Sequence, residues 1–313
     1  MKYSRRHFIG TATAGMGAIL INGCFSGVTH HDPYEIVELG KTGIKTTRLS
    51  LGTGIKGGGR QSNLTRLGHE QAVNFVREIY HRGVRVFDLA DSYGTHACVS
   101  EALKIYPRSD YVIISKMGIR RSTPEGELPG AETEATIMRF LNELQTDYID
   151  VLQMHYILTG NWNTELSDYM TALDQLKQKG IIRAHGLSCH NLEAVETAVR
   201  EPWVDTIHVR LNPYGSSMDD TVEKVEPVVK QLHQAGKGVI AMKIIGEGEF
   251  ANSDEQKDNA FRYVLQLGAV DILAVGMDKI SDIVDNESRI RNVPLKKVLT
   301  SIKNEAVYKT SFY

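Results

Sequence analysis

From Thr47 to Met277 the chain alternates short apolar runs with longer stretches of helical periodicity, and few folds accept that rhythm. The apolar runs are TRLSLGTG (47–54), VRVFDLAD (84–91), YVIISKMG (111–118), YIDVLQMHYI (148–157), IRAHGLSCH (182–190), VDTIHVRLN (204–212), GVIAMKIIG (238–246) and VDILAVGM (270–277). Runs this short and this continuously apolar suit strands buried on both faces, and such strands lie parallel, joined by helical crossovers. Helical patterns fall between them, among them HEQAVNFVREIYHRG, ATIMRFLNELQT and VEKVEPVVKQLHQAG, and several close on Gly, the common helix stop. Eight strand–helix units in about 250 residues predict an α/β chain closed as a (β/α)8 TIM barrel. Ahead of it, YEIVELG and IKTTRLS flank KTG and predict a β-hairpin capping the bottom of the barrel, its N-terminal end. No proline-rich or serine-rich linker interrupts residues 34–313, so a single barrel domain is expected there.

An open doubly wound sheet is the rival architecture. GTGIKG, Gly52 to Gly57, formally matches a dinucleotide-binding glycine pattern after a strand. That pattern needs its helix to begin within the glycines, so that the helix N-terminus meets the pyrophosphate. Here GGRQSNLTRLG intervenes, and the stretch reads as the first loop of a barrel. A net charge of −2 and the lack of a long basic run leave no footprint for nucleic acid. The three cysteines, Cys24, Cys98 and Cys189, lack CxxC spacing, so neither a zinc site nor a disulfide framework is indicated.

Residues 1–30 read as a targeting segment rather than as fold. SRRHFIG, Ser4 to Gly10, resembles the start of a twin-arginine export signal, and the small-residue run TATAGMGAILING follows it. INGC, Ile21 to Cys24, resembles a bacterial lipoprotein box, which implies lipid on Cys24 and attachment to a membrane. The run from Phe8 to Gly23 is too short and too glycine-rich to span a bilayer. The expectation is a periplasmic or envelope-associated protein, with the twin-arginine machinery as an export partner. Substrates of that route cross already folded, which suits a protein that takes up a cofactor before export.

In a closed barrel, chemistry sits at the C-terminal ends of the strands. VFDLADSYG sets Asp88, Asp91 and Tyr93 at the end of the second barrel strand; Lys116 stands near the end of the third and His155 near the end of the fourth. A lysine inside VIISKMG must find a carboxylate or shift its pKa. Side chains alternate along a strand, so Lys116 shares a face with Val112 and Ile114, and Asp88 with Val84 and Val86. Adjacent strands then set Asp88 beside Lys116. Singly, each residue has a structural explanation: a helix cap, loop packing, a satisfied core histidine. Together, on three consecutive strand ends, they point to a site.

These residues carry a resemblance to the aldo-keto reductase family that covers nearly all of residues 34–290. FDLADSYG matches that family's FDTAxxYG element, IISKMG its strand-three lysine element, and DYIDVLQMHY its DYIDLxxxH element. GLSCHN stands where the family has a G-[VI]-S-N-F-like stretch, and RLNPY lies near its strand-six segment. The resemblance implies the same barrel and the nicotinamide-dependent reduction of a small-molecule aldehyde or ketone. It also implies a tetrad. Tyr93 would protonate the developing alkoxide with its pKa lowered by Lys116, Asp88 would hold Lys116, and His155 would orient the carbonyl oxygen. Asp91 is left a capping role.

The cofactor side departs from the family pattern. Ser188 is present, but Cys189 stands at the family's Asn, His208 at its Gln and Leu211 at the aromatic that stacks on the nicotinamide, while Asn212 is retained. Gly52 and Thr53 are expected to face the cofactor, and Lys243 to reach its pyrophosphate. After the last strand, Gly276 and Met277 stand at the family's Lys-Ser positions, with Asp282 at its Arg and Asn286 following. Family frequency favours NADP over NAD, whereas Asp282 would repel a 2′-phosphate and suit NAD. Arg120 and Arg121, on a long rim loop, would meet an acidic substrate or simply face solvent. Two other functions compete. A metal-dependent barrel hydrolase would use His155, His185, His190 and His208, but no HxH pair stands on the first strand. A barrel that retains dinucleotide and acts through a partner fits the altered carboxamide residues.

Overall fold

The computed structural model describes residues 29–119 and 129–296. The export signal, Cys24, Arg120 and Arg121 lie outside the described residues. Two short strands come first, β1 (Ile36–Glu38) and β2 (Lys45–Thr47), paired antiparallel as the hairpin expected from KTG. Gly40 turns the hairpin at φ +53°, and any side chain there would collide with the backbone of Gly238. The turn is therefore pressed against the barrel floor, where Leu39 and Ile44 are buried.

Eight parallel strands follow and close into one ring: β3 (Leu49–Gly52), β4 (Val86–Asp88), β5 (Val112–Gly118), β6 (Ile149–Ile157), β7 (Ile182–Cys189), β8 (Thr206–Arg210), β9 (Gly238–Met242) and β10 (Ile272–Gly276), with β10 pairing back onto β3. This closure excludes the doubly wound alternative. Strand alternation divides the apolar residues into two cores. Val86, Val112, Ile114, Val151, Ala184 and Ile240 face inward and meet Leu39 and Ile44 from the hairpin. Their neighbours Phe87, Ile113, Leu152, Leu187 and Val209 face outward under the helices. Each fully buried aliphatic side chain is worth roughly 1.5–3 kcal/mol, so a one-residue slip, which exchanges the faces, is strongly opposed.

The helices are α1 (Asn63–Arg66), α2 (His69–Arg82), α3 (His96–Leu103), α4 (Pro129–Leu144), α5 (Trp162–Glu165), α6 (Ser167–Gln178), α7 (Leu192–Arg200), α8 (Val222–Gln234), α9 (Asp254–Leu267) and α10 (Ile280–Arg291). Local chemistry starts several of them: Asn191 caps α7 by accepting from Ala194 N at 3.2 Å, and Ser253 caps α9 by accepting from Gln256 N at 3.3 Å. The glycines of GTGIKG lie before α1, outside any helix, as a first barrel loop requires.

Candidate active site

A cavity of about 220 Å³ opens at the C-terminal end of the barrel, lined by Gly52, Gly54, Asp88, Tyr93, Lys243 and Gly276 among others. At its base lies an ion pair. Lys116 is fully buried on the inward face of β5, and its Nζ donates to Asp88 Oδ1 and, at 3.1 Å, to Leu89 O. The register of β4 against β5, Val86 opposite Val112 and Asp88 opposite Ile114, brings the two side chains together across the pleat. Burial acts to raise Asp88, but Lys116 and His208 outweigh it and hold the carboxyl far below its usual range. Burial lowers Lys116, and the Asp88 carboxylate works against that loss.

Tyr93 rides on a tight turn, Asp91–Tyr93, that closes with Gly94 at φ +66°. A side chain at Gly94 would overlap the carbonyl of Arg60, so glycine is required there. The turn is clamped from outside. Arg139 on α4 reaches both Asp91 carboxylate oxygens, at 2.9 and 2.8 Å, and Arg60 reaches Oδ1 at 2.7 Å. The same two arginines share Glu143. Asp91 is thus an anchor for the tyrosine's turn and not the helix cap expected of it; α3 starts at Thr95 without a side-chain cap.

Tyr93 and His155 meet edge to face, ring centroids 5.7 Å apart, and Lys116 Nζ lies 5.5 Å from the Tyr93 ring centroid. Among the described residues neither Tyr93 Oη nor the His155 ring finds a hydrogen-bond partner. Burial, then the Asp88 charge, push the Tyr93 hydroxyl above its ordinary range. The net shift is upward, against the lowering expected from the resemblance: burial and Asp88 outweigh the Lys116 cation, whose ammonium is turned to Asp88. Burial, then Lys116 and His190, pull His155 down to about 3, so its imidazole is neutral at any working pH.

Ser188 alone of the expected carboxamide ligands stands ready. It is inward on β7, buried, and its Oγ has no partner. Cys189 follows it and so faces outward, into the core beneath the helices. His208 is wholly buried below the mouth, and Leu211 also points outward. Asn212 is spent on its own loop, donating to Ser216 O at 2.7 Å and Lys243 O at 3.2 Å. Gly52 and Gly276 line the cavity, whereas Thr53 turns away and bonds Asp88 O at 2.9 Å and Thr95 Oγ1 at 3.0 Å. Lys243 also lines it, held at φ +59° with its ammonium 2.6 Å from Glu247. Met277 and Asn286 are buried, and Asp282 caps α10 by accepting from Asp278 N at 3.1 Å and Lys279 N at 3.2 Å.

The histidines do not converge. His185 faces outward, stacked at 4.2 Å on Trp203 and bonded to Asp174, and no group of three or more metal-ligating side chains occurs among the described residues. Ser115, His96 and Glu143 show the spacing of a nucleophilic triad, 2.8 Å at each step, yet Ser115 is fully buried beneath α3 and out of reach of any substrate. Sequence reasoning missed Gln153 and Thr206, buried polar residues in the barrel interior. Gln153 lies two residues before His155 on the same strand face, which was signal enough.

A closed (β/α)8 barrel that gathers Asp88, Tyr93, Lys116 and His155 at its C-terminal mouth defines a class, the barrel oxidoreductases that use a nicotinamide cofactor. The sequence profile described as "Aldo/keto reductase family" matches residues 48–263, and the chain belongs to that family. It is 29% identical to L-galactose dehydrogenase of Arabidopsis thaliana over 68% of this chain, and 24% identical to D-threo-aldose 1-dehydrogenase of Pseudomonas sp over 66%. It is 25% identical to NADH-specific methylglyoxal reductase of Escherichia coli (strain K12) over 59%. The alignments span 66%, 70% and 61% of those proteins respectively. Among solved structures, the holo form of an aldo-keto reductase from Bacillus halodurans superposes with a TM-score of 0.66 at 20% identity, covering 84% of this chain and 93% of that one. An aldo/keto reductase from Klebsiella pneumoniae in complex with NADP and acetate gives 0.63 at 18%, covering 83% and 91%. At those identities the superpositions establish the shared fold.

Proposed function

We propose that this chain reduces an aldehyde or ketone to the alcohol, with Tyr93 giving the proton. The observation that carries the reading is the buried Lys116–Asp88 pair set beneath a tyrosine and a histidine whose polar ends are free. A bound reduced nicotinamide supplies hydride to the carbonyl carbon. Tyr93 keeps its proton at neutral pH, so it waits as a donor and not as a phenolate. Lys116 sets a fixed positive charge behind the ring, favouring the tyrosinate that proton transfer leaves. Neutral His155 orients the carbonyl oxygen without adding charge. Asp88 keeps Lys116 in place and is too acidic to take up the proton itself.

The residues fit a nicotinamide dinucleotide in part. The partnerless Ser188 hydroxyl suits a carboxamide, and Lys243 suits a diphosphate. NAD is favoured over NADP: the amides at the start of α10 are already taken by the Asp282 carboxylate, which would also repel a 2′-phosphate. Similar proteins include an NADH-specific reductase and an NADP complex, so both choices exist in the family. The test is turnover with NADH and NADPH on a panel of aldehydes and ketones, for wild type and Tyr93→Phe. The variant should lose roughly 10²–10⁴ in kcat and keep its dinucleotide affinity. Dinucleotide binding without turnover in the wild type would instead support the barrel that works through a partner.

Export by the twin-arginine route, with lipid on Cys24, is proposed on Arg5, Arg6 and the INGC box.

A further inference from the structure

The polar layer inside the barrel contains a histidine with no part in the chemistry above. His208 has no exposed surface, and its Nε2 lies 3.2 Å from Asp88 Oδ1, the oxygen that also receives Lys116. Its Nδ1 lies 2.6 Å from Gln153 Oε1, and Gln153 Nε2 lies 3.0 Å from Thr206 Oγ1. Gln153 and Thr206 are equally buried.

The donors and acceptors of this chain have two consistent arrangements. With the Gln153 carbonyl toward His208, Nδ1 carries the hydrogen, and a neutral ring turns an Nε2 lone pair on the Asp88 carboxylate. In the structure Nε2 lies 3.2 Å from Asp88 Oδ1 without making a hydrogen bond, which is costly for a buried nitrogen. The other arrangement turns the Gln153 amide through 180° and reverses the Thr206 hydroxyl. The amide NH2 donates to Nδ1, the Thr206 hydroxyl donates to Gln153 Oε1, and Nε2–H donates to Asp88 Oδ1. A small turn of the ring brings Nε2–H onto Asp88 Oδ1, and each member of the chain then has a partner without adding a charge. A doubly protonated His208 would also satisfy Asp88, but burial and the adjacent Lys116 cation disfavour it.

We infer that His208 is a positioning residue, donating from Nε2 to Asp88 at the end of a Thr206–Gln153–His208 chain that aims the carboxylate at Lys116. This rests on the reductase reading, and it departs from the carboxamide-binding role that the resemblance gives this position. His208 turns Nδ1 to Gln153 and Nε2 toward Asp88, so neither ring nitrogen is offered to a ligand in the mouth. The titratable groups facing His208 are Asp88 from β4, Lys116 from β5, His155 from β6 and His190 after β7.

Two measurements test it on the full chain. Imidazole 15N NMR, with His208→Gln to assign the signal, should show an Nε2–H tautomer that does not titrate between about pH 5 and 8. Steady-state kinetics on His208→Leu should show kcat down roughly ten- to a hundred-fold, the loss of one hydrogen bond to a charged group. KM and dinucleotide Kd should stay within about twofold. The alkaline limb of kcat should move to higher pH, because Asp88 with one donor fewer binds the Lys116 proton more tightly. His208→Gln, whose amide can donate toward Asp88, should recover most of the rate. A neutral Nδ1–H tautomer overturns the inference, as does weakened dinucleotide binding with kcat intact, which would restore the carboxamide role. Failure of the wild type to reduce any carbonyl would sink the reductase reading, and the tautomer would still decide the role of His208.

Discussion

Replacing Lys116 with Met removes an ammonium that is 1% exposed and leaves the Asp88 side chain, 9% exposed, with His208 as its remaining close neighbour. Breaking a buried pair from one side costs about 3–5 kcal/mol, because the surviving charge has lost its compensation. For a domain of this size 1 kcal/mol moves Tm by roughly 2–4 °C, so Lys116→Met should melt about 6–20 °C below wild type. Part of the loss is relieved when Asp88 takes up a proton. Lys116 and His208 hold that carboxyl far below its usual range, and without Lys116 burial drives it up. The deficit should therefore be smaller at pH 5 than at pH 8. Adding Asp88→Asn removes the orphaned charge at nearly constant shape and should return most of the stability. The double-mutant cycle then gives a coupling of at least about 2 kcal/mol. Activity should not return: both variants should stay roughly 10²–10⁴ below wild type, since the tyrosinate has lost its cation. Urea and thermal unfolding at two pH values, with kcat beside them, make the measurement. A Lys116→Met deficit under about 1 kcal/mol with an additive cycle would refute the argument, as would an active double variant.

Acid should destabilise the barrel through His155 and His190, both held at about 3 in the folded state against an unfolded value near 6.5. Below pH 6.5 the unfolded chain takes up protons that the folded chain refuses. Stability is thus complete above that pH and falls toward pH 3, by at most about 1.4 kcal/mol per pH unit for each histidine, and by less because both are only partly buried. Urea midpoints between pH 7.5 and 4 should slope accordingly, and His155→Asn/His190→Asn should flatten the slope; an unchanged slope would assign the acid sensitivity elsewhere. For export, intact mass of protein taken from the exporting host's envelope should show a chain beginning at Cys24 with lipid attached. A full-length chain recovered from the cytoplasm would contradict both export and anchoring.

The barrel was legible because its signals are local. Eight continuous apolar runs and their glycine-stopped helices appear in the chain, and the hairpin about KTG appears with them. The Lys116–Asp88 contact was legible from strand parity alone, which sets both side chains inward. Parity also explains one error. On β7 the inward residues are Ala184, Gly186 and Ser188, so Cys189 faces the helices, and a position matched to a family motif had to be checked against that alternation. Other features could not be read because they depend on residues distant in sequence. Asp91 meets Arg139 and Arg60, and His208 meets Asp88 and Gln153. Asp282 was matched to a family position after the last strand, and only the fold shows its carboxylate capping α10.

Two independent scaffolds converge on the mouth, and their separation explains why Tyr93 stands free while Lys116 is bound tightly. The inner scaffold is a polar layer in a barrel whose interior is usually filled by branched apolar side chains. It is stacked on the aliphatic floor of Ile114, Val151, Ile240 and the hairpin's Leu39 and Ile44. That floor keeps water from the ion pair below, so the charge on Lys116 acts through a poorly screened interior. The outer scaffold is the arginine clamp on Asp91, which fixes the Tyr93 turn from the helical layer without touching the ion pair. A single scaffold holding both groups would spend the Lys116 donors on the Tyr93 hydroxyl before any substrate arrives. With two, the ammonium gives two of its three hydrogens to Asp88 and Leu89 O, and the Tyr93 hydroxyl finds no partner among the described residues. The hydrogen bond that Tyr93 lacks here is then the one a carbonyl oxygen would supply.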